Sequence, residues 1–354
     1  RSVACWHAFE PDVPADGPAV AAGAAPAIER GQGEPLVEAI RLSKHFPGGR
    51  GLWLGRGPSV RALDEVSLTI HRGETFGLVG ESGCGKSTLG RLLLQLDTPT
   101  SGEVRYAGRA LHTLKRSERQ QARRQMQMIF QDPYGSIDPR WTVGQVIAEP
   151  LVAHRVGTAE QQRVRVEELL ELVGLPASAR TRHVHAFSGG QRQRIGIARA
   201  IALEPGFVLA DEAVSALDLS VQAQVINLLS ELRERLQLTT LFIGHGLNVV
   251  RHLSDRIGVM YLGRLVEVAP ADELFRRPAH PYTRALIAAM PQPDPRRRRE
   301  FVSPIGELPS PTAPPSGCHF HPRCPAATER CRREVPPLLP IAEQRTVACH
   351  FPLN

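Results

Sequence analysis

With 354 residues, 42% of them hydrophobic, the chain has room for one large α/β domain with an ample core and a smaller appendage. No apolar run approaches the roughly 18–20 residues of a membrane span. The N-terminus lacks the basic start and apolar core of a secretory signal, so a soluble or membrane-peripheral, cytosolic protein is expected. A net charge of +7 would suit nucleic acid, but the arginines are scattered, and no nucleic-acid partner is expected. The one run, Arg296–Arg299, sits in a Pro-rich stretch and reads as a solvated linker or a contact to acidic lipid headgroups.

Residues 1–35 are rich in Ala, Pro and Gly without periodicity and read as a linker. Arg1-Ser2-Val3-Ala4-Cys5-Trp6 is similar to Arg345-Thr346-Val347-Ala348-Cys349-His350, which predicts a tandem parent polypeptide of which this chain is the second half. Leu36 to Leu42, Val60 to Ile70 and Glu103 to Tyr106 alternate as half-exposed strands, and with Glu74 to Val79 they predict a mixed sheet.

Gly80-Glu81-Ser82-Gly83-Cys84-Gly85-Lys86-Ser87-Thr88 stands between the apolar run Phe76–Val79 and a helical pattern, Leu89 to Leu96. In that setting Gly-x-x-x-x-Gly-Lys-Ser wraps backbone N–H groups around phosphate oxygens at a positive helix end. Gly80, Gly83 and Gly85 allow backbone angles that a Cβ forbids. Lys86 is placed to reach the β- and γ-phosphates and the Ser87 hydroxyl to hold Mg²⁺. Only three lysines occur (Lys44, Lys86 and Lys115), so 40 of the 43 basic residues are arginine, yet the loop keeps lysine. A compact ammonium fits such a cradle and a planar guanidinium does not.

Further along, Gln127 to Phe130 is a short strand ending at Gln131, and 143–182 turns helical with a break at Gly174-Leu175-Pro176. In Phe187-Ser188-Gly189-Gly190-Gln191, Ser188 suits an N-cap before the helix Arg192–Ile201, and the glycines bare N–H groups at a second anion site. The strand Phe207–Ala210 ends in Asp211-Glu212, a pair able to put one carboxylate on a metal and the other on an attacking water. An amphipathic helix (Val221 to Leu236) and a strand (Thr239 to Gly244) follow, and the strand ends at His245. After Pro291 the composition shifts to Pro, Arg and Cys, marking an appendage.

In this order, the phosphate loop, Phe187–Gln191, Asp211-Glu212, Ser215-Ala216-Leu217-Asp218 and His245 resemble the ATP-binding subunits of ABC transporters over about residues 36–354. Met128 to Ser136, His280 to Leu286, Gly306 to Pro311 and Gly317 to Cys324 are similar to the oligopeptide/dipeptide/nickel importer branch, and within it to the second of two paired ATPases. The resemblance implies an α/β phosphate-loop NTPase fold over 36–290, with a mixed sheet, an antiparallel β subdomain and a helical subdomain at about 140–187. A Cys-rich domain over 291–354 would follow. It implies ATP and Mg²⁺ as ligands, with nucleotide between the phosphate loop of one ATPase domain and Ser188–Gln191 of a second. It also implies two integral membrane permeases, an extracytoplasmic substrate-binding protein, and a place on the cytoplasmic face of the membrane.

The same resemblance makes Phe46 the adenine-stacking ring, Gln131 a contact to Mg²⁺ or the lytic water, His245 a γ-phosphate contact and Asp218 a coupling residue across the interface. Two positions depart from the family pattern: Ala213 replaces the usual Pro after Glu212, and Gly246 replaces the Asp after His245, loosening the backbone that aims it. Cys318, Cys324, Cys331 and Cys349, spaced Cys-x5-Cys-x6-Cys-x17-Cys, are looser than a usual zinc pair and do not suit cytosolic disulfides. Family resemblance favours a four-iron four-sulfur cluster there, with zinc as the alternative. A soluble ATPase of translation or DNA repair is the competing class, disfavoured because the roughly 100 residues between Gly85 and Ser188 leave no room for a coiled coil.

Overall fold

The computed structural model describes residues 33–48, 59–132, 135, 137–215, 217–290 and 306–353. The Arg1–Trp6 repeat, the Arg296–Arg299 run, Pro133, Tyr134, Ser136 and Ala216 lie outside the described residues. The chain runs through β1 (Pro35–Phe46), β2 (Val60–His71), β3 (Thr75–Val79), α1 (Lys86–Leu93), β4 (Ser101–Tyr106), β5 (Arg109–Ala110), α2 (Arg116–Gln125) and β6 (Met126–Ile129). It continues with α3 (Val143–Ala153), α4 (Ala159–Leu172), α5 (Gly189–Ile201), β7 (Phe207–Asp211), α6 (Leu219–Leu236), β8 (Thr239–Ile243) and α7 (Leu247–Leu253). Next come β9 (Arg256–Tyr261), β10 (Arg264–Pro270), α8 (Ala271–Arg276), α9 (Pro281–Ala288), α10 (Glu329–Arg333), β11 (Leu339–Ala342) and β12 (Arg345–Val347).

The main sheet has the order β11-β12-β10-β9-β3-β8-β7-β6. From β9 to β6 its pairs are parallel, and β10, β12 and β11 add antiparallel strands at one side. Strands buried on both faces read as continuous apolar runs, and β3, β7 and β8 do. Phe207, Leu209, Leu241 and Ile243 enter one core, whereas Val208, Ala210 and Phe242 enter the other, as the two-residue period of a strand requires.

The alternation of β1, β2 and β4 grouped them with β3 in a mixed sheet, but the structure gives them a sheet of their own, the antiparallel β subdomain that the resemblance implies. With β5 they form their own antiparallel sheet, β2-β1-β4-β5, apart from β3. That sheet has only one face to bury, and Leu36, Leu42, Leu63 and Val66 place it over Phe76 and Leu78. On the opposite side of the main sheet, α3, α4 and α5 pack through Val146, Ile147, Leu169, Leu170 and Ile195. Thr142 and Thr158 start α3 and α4 as capping boxes with Gln145 and Gln161.

Residues 306–353 extend the main sheet. β12 pairs with β10, Glu267 opposite Val347 and Val268 opposite Thr346. Phe320 is buried among Tyr261 (ring centroids 5.3 Å apart), Tyr282 (5.3 Å) and His280 (5.7 Å). Beneath it the Glu267 carboxylate accepts from the N–H groups of Ala279 (2.7 Å) and His280 (2.8 Å). The His280 Nδ1 accepts from the Tyr282 N–H at 3.0 Å, capping α9. An Nδ1 that accepts belongs to a neutral imidazole, and complete burial holds His280 down at about 3.

The imidazole is neutral when folded and gains a proton near its ordinary pKa of about 6.5 when unfolded. Its contribution is therefore fully present above about pH 6.5 and is lost as pH falls toward about 3. Replacing His280 by Asn keeps a capping acceptor and removes the titration. Urea midpoints taken between pH 7 and 4 should fall less steeply for His280→Asn than for the parent, the difference amounting to on the order of a few kcal/mol.

Candidate nucleotide site

β3 delivers the chain to the phosphate loop at Val79, and α1 begins at Lys86. Gly85 holds φ +104 beside the carbonyl of Ala62 on β2, where a Cβ would lie 2.4 Å from that oxygen. The Cys84 carbonyl accepts from the Gly263 N–H (3.0 Å), which ties the loop to the β9–β10 turn. α1 carries no side-chain cap and no acidic residue in its first turn, so its N–H groups face the loop as an anion site. The buried Lys86 ammonium donates to the Gly80 carbonyl (2.8 Å) and the Glu81 carbonyl (3.1 Å). Cys84 is buried below it, and that burial pushes its thiol up.

The neighbouring strand ends complete the site. Ser87 Oγ donates to Asp211 Oδ1 at 3.0 Å, across from α1 to the end of β7. Burial pushes the Asp211 carboxyl up from its ordinary value, with the Ser87 hydrogen bond opposing and the Glu212 charge adding. Glu212 sits in the left-handed region at φ +49, its N–H held by the Ile243 carbonyl (2.9 Å). A non-glycine residue kept there stores local strain. Its carboxylate accepts from Gln131 Nε2 at 2.6 Å and meets His245 Nε2 on its other oxygen. Gln131, Glu212 and His245, widely separated in sequence, are thus gathered at the ends of β6, β7 and β8. Gly246 adopts φ −80, an ordinary value, so its glycine freedom is not used.

The second anion site is built but lies apart. Ser188 and Gln191 form a reciprocal capping box at the start of α5 (3.4 Å and 3.1 Å) and make no hydrogen bond to the phosphate loop. Gly190 allows close approach of α6: a Cβ there would lie 2.2 Å from Val221 Cγ1. Asp218 precedes α6 without capping it, leaving its carboxylate uncommitted to that helix. At the end of β1 the Phe46 ring is 38% exposed, with the Lys44 ammonium 4.9 Å from its centre.

The tail cysteines converge without closing. The Cys318 N–H donates to the Cys331 carbonyl (2.8 Å), and the four sulfurs lie within electrostatic range of one another. Burial pushes the thiols up, Cys318 to about 11 and Cys324 and Cys349 also above the ordinary value. Among the described residues no group of three or more Cys, His, Asp or Glu is disposed to hold a metal. In this arrangement the four sulfurs are not drawn together as a ligand set. Glu81 is a further contact point, one that its local sequence does not reveal. Its N–H donates to the Tyr282 hydroxyl (2.9 Å) and its carboxylate pairs with Arg323, partners no spacing rule could supply.

A phosphate loop leaving the central strand of a parallel sheet, with a hydroxyl–carboxylate pair and a second carboxylate on adjoining strand ends, defines a phosphate-loop nucleoside-triphosphatase domain. The family model described as "ABC transporter" matches residues 63–215, and "Oligopeptide/dipeptide transporter, C-terminal region" matches 266–331. The chain is 52% identical over 317 residues to "Probable peptide ABC transporter ATP-binding protein y4tS" of Sinorhizobium fredii, covering 90% of each chain. It is 48% identical to the oligopeptide transport ATP-binding protein AppF of Bacillus subtilis, over 90% of this chain and 98% of that one. Among solved structures, the ATP-binding cassette MJ0796, a dimer in a post-hydrolysis state bound to ADP and Pi, aligns with a TM-score of 0.59 and 30% identity. That alignment covers 67% of this chain and 99% of that one. The chain belongs to the ATP-binding subunits of the ABC transporter family and is an ATPase of that class.

Gly85→Ala should destabilise the fold by at least about 1–3 kcal/mol, because the new methyl meets both a left-handed backbone and the Ala62 carbonyl. Thermal unfolding of the purified full chain, with and without Mg-ATP, reads both the loss and the accompanying loss of nucleotide stabilisation.

Proposed function

We propose that this chain is the ATP-hydrolysing motor of an importer for di- or oligopeptides, docked on the cytoplasmic face of two membrane permeases fed by an extracytoplasmic binding protein. The observation that carries the reading is the gathering of Gln131, Glu212 and His245 beside the Ser87–Asp211 pair. The names of the relatives support the peptide cargo. Among the described residues no helix is long and apolar enough to cross a membrane, which accords with separate permease subunits.

In this mechanism Lys86 and the N–H groups from Gly80, Ser82, Gly83, Cys84, Gly85 and Thr88 receive the triphosphate, and Phe46 offers its exposed face to adenine. Ser87, Asp211 and Gln131 present oxygen ligands that fit Mg²⁺. The ion supplies charge neutralisation at the β- and γ-phosphates. Glu212 takes a proton from water as the water oxygen bonds to the γ-phosphorus and the bond to the β-phosphate oxygen breaks, giving ADP and phosphate. His245 orients Glu212 and the γ-phosphate. Ser188, Gly189, Gly190 and Gln191 have no partner within the chain's own phosphate loop, which supports their closing on nucleotide held by a second ATPase domain, with Asp218 at the seam. Opening of that sandwich after hydrolysis moves the permeases.

In the assembled transporter, Glu212→Gln should lower the ATPase rate by at least about 100-fold while ATP still binds. An unchanged rate would refute the role given to Glu212. Uptake of labelled di- and oligopeptides by vesicles holding the full complex checks the cargo.

The convergence of Cys318, Cys324, Cys331 and Cys349 supports a thiolate site that would have to draw together to bind an iron–sulfur cluster, with zinc as the alternative. Metal analysis of the anaerobically purified full chain separates the two: about four irons with matching sulfide, or about one zinc. Neither metal would remove the site from the reading.

A further inference from the structure

Every polar group of Glu81, the second residue of the phosphate loop, is committed. Its carbonyl receives Lys86 at 3.1 Å, and its N–H donates to the Tyr282 hydroxyl at 2.9 Å. Its carboxylate is gripped by the Arg323 guanidinium, Nη1 at 3.1 and 2.9 Å from the two oxygens and Nη2 at 3.1 Å from one of them. The last two partners lie about 200 and 240 residues downstream in the chain. Arg323 ends a single 3-10 turn, His321–Arg323, between Cys318 and Cys324, and that turn is closed by Arg323 N–H to Phe320 carbonyl (3.0 Å). Phe320 in turn wedges the turn against Tyr261 and Tyr282. The Arg323 side chain is 8% exposed and that of Glu81 25%, so the pair is shielded from water far more than a surface bridge.

A carboxylate in the phosphate loop works against the site's purpose, because it repels the triphosphate and attracts the lysine that should meet it. We propose that Arg323 is a positioning residue for nucleotide binding: it neutralises and pins Glu81, leaving Lys86 free for phosphate, so that the Cys318–Cys324 turn sets ATP affinity from behind the loop. The proposal rests on the nucleotide reading above. Besides Glu81, the Arg323 guanidinium meets only Tyr261, through its hydroxyl (3.5 Å) and its ring, among the contacts of the described residues, and the chemistry of hydrolysis stays with the groups at the strand ends. Its signature is consequently a change in affinity and KM with little change in kcat.

The test uses the full-length chain and displacement of a fluorescent ATP analogue by ATP, followed by ATPase kinetics in the transporter. Arg323→Ala should raise the ATP Kd by about 10-fold or more, because it strands a shielded carboxylate within the phosphate loop. At saturating ATP, kcat should stay within about 3-fold. Arg323→Lys, which keeps the charge and loses the fork, should fall between, at about 3-fold in Kd. Deleting the carboxylate as well, in Arg323→Ala/Glu81→Gln, should bring Kd back to within about 3-fold of the parent.

An unchanged Kd in Arg323→Ala, or a double variant as weak as the single one, would overturn the proposal and leave the pair as scaffolding only. If Arg323→Ala does not fold, an unchanged Kd in Arg323→Lys overturns it equally. A parent chain that binds no ATP would defeat the nucleotide reading and this one with it, whereas a binding parent with an indifferent Arg323 defeats this one alone.

Discussion

Parallel pairing at Ile243 is the constraint on which the site depends. Ile243 lies opposite Leu78 of β3 on one side and Asp211 of β7 on the other, and its carbonyl takes the N–H of Glu212. Three strands consequently end flush at one edge, where the phosphate loop, the acidic pair and His245 all emerge. A slip of one residue in either ladder would turn Asp211 and its neighbours to the opposite face of the sheet. The left-handed turn at Glu212 follows from the same register: β7 is spent at Asp211, and the next residue has to leave the sheet while still bonded to it.

The sheet can hold that register because it is apolar on both faces and braced by charge at its other end. Arg256 at the start of β9 pairs with the fully buried Glu74 ahead of β3 (3.1 Å), and Arg233 of α6 pairs with Asp255. The Asp255 carboxylate also takes the Thr75 N–H at 2.8 Å. These shielded pairs are tied to backbone as well as to each other, so removing one partner would leave a stranded charge where three strands begin.

Much of this was legible in the chain alone. The phosphate loop, the Ser188 cap, Asp211-Glu212 and His245 were readable because each stands where an apolar run stops, and strand and helix periods mark those stops. The assignment of β1, β2 and β4 was harder, since alternation tells how many faces a strand buries and not which sheet it joins. Glu267 and His280 were opaque for a similar reason: a buried carboxylate and a buried imidazole read as surface residues until their backbone partners are seen. The four cysteines show the opposite limit, since the cluster was expected from family resemblance and not from their loose spacing, and among the described residues their sulfurs do not close on a ligand set. Arg323 and Tyr282 belong to strings that resemble the family, but nothing local in those strings points back to Glu81.

The seating of residues 306–353 also bears on how the protein is made. Until β12 arrives, β10 presents an unpaired edge, and the space among Tyr261, Tyr282 and His280 lacks the Phe320 ring. During synthesis the ribosome has to deliver residues through Val347 before that edge is covered, so an interrupted chain would carry both a sticky strand and an unfinished loop. Nascent fragments that stop short of Phe320 thus expose the features by which chaperones and proteases recognise incomplete chains.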